Sequence, residues 1–233
     1  MATVTETTVP AGEHADHGDH GHHGPKWLQH HFDTPIQQFE SSKLGMWLFL
    51  AQEILFFSGL FVAYGIVRVG YPEAFAAGSH ELNRFLGGGN TIVLLFSSFT
   101  AAAAVRSAQL GEKQNVSRYL IITMLCACAF LVIKYFEYQL KFEHGLLPGI
   151  HWHPHLDHTL PAHTHVFFGI YFLLTGLHGV HVAIGIGVIF WVWRRNERGD
   201  FSKEYWTPVD LVALYWHLVD LVWIYLFPLL YLI

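Results

Sequence analysis

Between Lys43 and Tyr64 the chain reads KLGMWLFLAQEILFFSGLFVAY, an apolar run long enough to cross a bilayer, with one carboxylate, Glu53, near its middle. At 1.5 Å per helical residue Glu53 stands roughly 14 Å from Leu44, close to the midplane of a ~30 Å hydrocarbon core. A charge at that depth costs about 2.5 kcal/mol or more. Glu53 is therefore expected to face protein and to have a partner there.

Four more apolar stretches follow. The expected fold is an all-α membrane protein, a bundle of five transmembrane helices over about 44–67, 87–105, 119–139, 166–193 and 209–232. Residues 1–42 read as a polar tail, with histidines at 14, 17, 20, 22, 23, 30 and 31. The tail has no apolar core of a secretory signal, so the first span itself is expected to direct insertion. Charged residues make up only 13% of the chain, about half the usual share, and this argues against a soluble fold. The net charge of −5 comes mostly from tail and loops, and nothing points to a nucleic acid partner.

Basic residues set the expected orientation. Lys26, Lys43, Arg106, Lys113, Arg118, Arg194, Arg195, Arg198 and Lys203 fall on one side of a five-span bundle; Arg68, Arg84 and Lys141 fall on the other. That bias puts the amino terminus in the cytoplasm and the carboxyl end in the periplasm. Cys126 and Cys128 are two apart in an apolar segment and point about 160° apart on a helix, so both read as core filling rather than a disulfide or shared metal ligation. Gly179, Ala183 and Gly187 recur every four residues, a small-residue seam that lets another backbone come close.

Polar residues recur at membrane depth. His178 and His181 lie roughly 18 and 22 Å below the outer boundary, and His217 and Asp220 roughly 12 and 16 Å from the inner one. Glu53, His178, His217 and Asp220 then occupy one layer, with His181 sharing the face of His178. Three explanations stay open from the residues alone. They are cross-helix hydrogen bonds that fix packing, a metal or di-iron site built from these ligand types, and a proton-handling site. Lys134 and Glu137, three apart near the outer end of the third span, read as a local ion pair relieved by snorkelling. The loop over 144–165 carries histidines at 144, 151, 153, 155, 158, 163 and 165, interrupted by Pro154 and Pro161. It reads as a loose metal-binding or proton-buffering segment.

The runs WLFLAQEILFFSGLF (47–61), NTIVLLFSS (90–98), FEY (136–138), TGLHGVHVAIG (175–185) and YWHLVDLVWIYLFPLLYL (215–232) resemble cytochrome c oxidase subunit III, in order, over about Ser42 to Ile233. The resemblance implies a non-redox accessory subunit of a proton-pumping haem–copper terminal oxidase in a bacterial plasma membrane. Such a subunit carries no metal and has no catalytic residue of its own. Haem and copper sit in the catalytic subunit I, against which it packs together with other oxidase subunits and phospholipids. Glu53 matches the family's buried glutamate, His178 and His181 its paired histidines, and His217 and Asp220 the pair in the last helix. Arg195 looks like the basic residue that meets a lipid headgroup. Longer family members have seven spans, and the two lacking here precede the first. The resemblance implies cytochrome c as the donor, with quinol oxidase or nitric oxide reductase accessory subunits as alternatives. A metal-cation transporter is the rival from another class.

Overall fold

The computed structural model describes residues 27–149, 152–154 and 159–233. The histidines at 14, 17, 20, 22, 23, 151, 155 and 158, and Lys26, lie outside the described residues. Six helices follow one another: α1 (Pro35–Gly70), α2 (Pro72–His80), α3 (Arg84–Leu110), α4 (Lys113–Glu143), α5 (Thr164–Arg198) and α6 (Thr207–Tyr231). All but α2 are long and apolar enough to cross a membrane. No strand occurs among the described residues.

The helix ends have local causes. Thr34 caps α1 by accepting from the Gln37 amide, and Pro35 takes the first helical position, where its missing N–H costs nothing. That start lies inside the segment read as tail, because a cap and a proline outweigh its polar composition. Asn83 caps α3 through the amides of Phe85 and Leu86. Gly111 closes α3 at φ 75°, a left-handed conformation in which glycine carries no Cβ penalty. Helix α2 was not expected. Its Phe75 is 1% exposed and packs edge-on against Phe167, so it plugs one end of the bundle between α1 and α5.

Helices α3, α4, α5 and α6 form a four-helix ring, each in contact with two neighbours, and α1 leans on α6 and α5 from outside. The buried side of α6 supplies much of the core: Trp216, Trp223, Leu226, Leu230 and Tyr231 have no exposed surface. Both indoles satisfy their N–H across helices. Trp216 Nε1 donates to Ser97 Oγ and Trp223 Nε1 to Thr91 Oγ1, each at 3.0 Å. Thr100 and Thr123 join α3 to α4 through hydroxyls 2.8 Å apart.

The small-residue seam of α5 faces away from the other described helices. Ala183 and Gly187 are exposed, and a Cβ on Gly179 or Gly187 would meet nothing within 4 Å, so no backbone among the described residues approaches there. The crowded glycine is Gly185, where a Cβ would fall 2.6 Å from the Trp216 ring. Seams form where a large neighbour lands, and four-residue spacing alone does not say where that is. Cys128 is likewise exposed rather than core, while Cys126 is half-buried; both are free thiols.

Candidate functional site: polar clasps inside the bundle

Glu53 is 8% exposed in spite of its place on an outlying helix. Its Oε2 lies 3.1 Å from His181 Nε2. The other ring nitrogen, Nδ1, lies 2.8 Å from the Leu177 carbonyl. A carbonyl only accepts, so Nδ1 carries a proton and donates it. The facing atoms, Nε2 and Oε2, therefore share one proton, as imidazolium against carboxylate or as neutral imidazole against carboxylic acid. Phe56 and Phe57 flank the imidazole at 6.4 and 5.1 Å between ring centres, and Tyr215 donates to the His181 carbonyl at 2.9 Å.

His178, one turn earlier, goes elsewhere. It has no exposed surface and sits between Phe130 and Trp223, at 5.4 and 5.2 Å between ring centres. Neither of its ring nitrogens has a hydrogen-bond partner among the described residues. His217 Nδ1 is 2.6 Å from Ser98 Oγ, which ties α6 to α3. Asp220 is 2% exposed, and neither of its carboxylate oxygens has a hydrogen-bond partner among the described residues. The expected single layer is thus split among an α1–α5 pair, an α3–α6 pair and an aromatic box between α4, α5 and α6. Among the described residues no three His, Cys, Asp or Glu side chains converge as a metal ligand set.

A second polar cluster is larger than its sequence signal. Lys134 Nζ lies 3.0 Å from Glu137 Oε2, and the two side chains are only 7% and 3% exposed. The ammonium also donates to Tyr171 Oη at 3.1 Å and Tyr231 Oη at 2.8 Å. Both phenols donate in turn to Glu137 Oε1, at 3.1 and 2.6 Å. Every ammonium proton is used and both carboxylate oxygens are occupied, which is the condition for a buried charge pair to persist. The ion pair read from sequence is therefore present, but held in the bundle rather than snorkelling. The depth reasoning applied to Glu53 would have flagged it, since a lysine and a glutamate within one apolar span also need partners.

At the other end of the bundle Arg195 donates through Nε to Asp200 Oδ2 at 2.9 Å and lies over the Trp191 and Phe201 rings at 5.0 and 5.3 Å. It lines a cleft of about 290 Å³ with Gln38, Ser42, Trp191, Tyr205 and Pro208. Lys43 and Asp210, 2.9 Å apart, pin α1 to α6 at this same end.

The family model described as cytochrome c oxidase subunit III matches residues 155–233. Cytochrome c oxidase subunit 3 of Synechocystis sp. is 34% identical over 205 residues, covering 88% of this chain and 78% of that protein. The same-named protein of Thermostichus vulcanus is 33% identical over 82% of this chain and 86% of its own length. A probable cytochrome c oxidase subunit 3 of Mycobacterium leprae is 32% identical, with 82% and 87% covered. The chain belongs to the cytochrome c oxidase subunit III family. As a member it is an integral membrane, accessory subunit of a haem–copper oxidase, and other oxidase subunits are its partners.

In this subunit III chain the α1 clasps occur at three heights: Lys43 with Asp210, Glu53 with His181, and Tyr64 donating to the Leu229 carbonyl. A double-mutant cycle of Glu53→Ala and His181→Ala is expected to give a coupling of about 0.6–2 kcal/mol in thermal unfolding, the range for polar pairs across membrane helices. A coupling of zero would mean the pair does not hold α1.

Proposed function

We propose that this chain is the non-redox third subunit of a proton-pumping haem–copper oxidase in a bacterial plasma membrane, packed on the catalytic subunit I and helping to sustain its proton uptake. The observation that carries this reading is the similarity of 88% of the chain to a cytochrome c oxidase subunit 3. Cytochrome c is the proposed donor, in keeping with the relatives' names. Haem and copper belong to the catalytic partner. The amino terminus lies in the cytoplasm, as the basic-residue bias favours.

The residues support specific parts of this role. Glu53 and His181 hold one proton between them at mid-depth, between α1 and α5, which suits a place beside a proton-uptake route. His217 ties α6 to α3 through Ser98 and so helps keep the ring of helices in register beside that pair. Arg195, with a guanidinium beside an aromatic-lined cleft, meets a phospholipid phosphate.

The test is Glu53→Gln in the assembled oxidase. Electron transfer needs no group on this chain, so the variant is expected to keep the initial rate of oxygen reduction and to lose activity sooner over repeated turnovers. Loss of haem reduction in that variant would overturn the accessory role.

A further inference from the structure

Among the described residues nothing covers the outward side of α1. Only 17% of its most apolar window is buried, against 33–56% for the other four long helices. Leu50, Glu53, Phe57 and Tyr64 form its inward side. On the opposite side Gly45, Leu48, Gln52, Leu55, Gly59 and Val62 follow one another at alternating steps of three and four, and all are exposed. A Cβ on Gly45 or Gly59 would meet nothing within 4 Å.

Gln52 decides what belongs there. It is an exposed amide next to the residue at the bilayer midplane. Its side chain makes one hydrogen bond among the described residues, a long one of 3.4 Å from Nε2 to Glu53 Oε1. The second amide proton and the carbonyl lone pairs still need partners, and hydrocarbon offers none. Lipid tails would fill the face but leave the amide unsatisfied.

We propose that this side of α1 docks one transmembrane helix of a different chain, which presents a hydrogen-bonding group to Gln52 at mid-depth. A seven-residue repeat selects a left-handed crossing near +20°, and a single polar residue on such a seam fixes its register. The glycines seven residues before and after Gln52 are where the two backbones come closest. The inference rests on the chain's place in the oxidase, which makes the partner another oxidase subunit.

A photo-cross-linking residue at Leu48 or at Leu55, in membranes holding the whole complex, tests it. The expected product joins this chain to one other oxidase polypeptide. Adding Gly59→Leu lowers its yield about tenfold, while thermal unfolding of the purified variant stays unchanged, since Gly59 has open space around it. Gln52→Leu lowers the partner's retention in detergent about threefold. Cross-links only to lipid, or only to a second copy of this chain, in a haem-containing preparation would overturn the docking surface. A preparation without haem would overturn the oxidase reading and the partner class with it.

Discussion

Replacing Glu137 by leucine is expected to destabilise the purified chain by about 3–5 kcal/mol, because it leaves the Lys134 ammonium buried with no counter-charge. The pair is 7% and 3% exposed, so solvent cannot relieve the loss. Tyr171 and Tyr231 would also lose the carboxylate oxygen to which both donate. Pairing Glu137→Leu with Lys134→Met removes both charges and is expected to recover most of the loss, since a well-packed apolar replacement of a buried ion pair is often neutral or better. Thermal unfolding of the two variants in one detergent checks both halves. If Glu137→Leu alone unfolds like the parent, Lys134 is not held as an ion at all. If the double variant stays as unstable as the single one, the tyrosines rather than the charges dominate the cluster.

Gly185→Val is the other large effect. A Cβ at this position would fall 2.6 and 2.8 Å from Trp216 ring carbons, and that ring cannot step aside: it has no exposed surface and its N–H is bonded to Ser97. Overpacking of this kind costs about 1–3 kcal/mol. It should part α5 from α6, which unfolding midpoint and tryptophan fluorescence would both register. Gly179→Ala and Gly187→Ala provide the contrast. Neither Cβ meets anything within 4 Å, so in the isolated chain both should be neutral or slightly stabilising through helix propensity. The reverse ranking would mean that the seam expected from sequence, rather than the Trp216 contact, sets the α5 packing.

These two clusters also mark where sequence reasoning stopped. The five long helices were legible because apolar runs of bilayer length have few other uses. Helix α2 was not, since nine residues of mixed polarity show no period and are held by distant partners, Phe75 packing on Tyr64 and Phe167. Depth put Glu53 in a layer with His178, His217 and Asp220, with His181 on the His178 face, but did not name its partner. Residues three apart on a helix diverge by about 60°, and that angle sends His181 to α1 and His178 into the Phe130–Trp223 box. Depth placed Lys134 and Glu137 in the span. Their burial depended on Tyr231, ninety-odd residues away, returning to the same place, which no local pattern encodes.

The most direct measurement is a reduced-minus-oxidised visible spectrum of the material that comes with this chain after gentle detergent extraction and tag purification. Haem absorption at the stoichiometry of one oxidase per chain is the expected result, abolished neither by Glu53→Gln nor by removal of free metal ions. A colourless, single-polypeptide preparation from membranes that respire through an oxidase would contradict the assignment of this chain as that oxidase's third subunit.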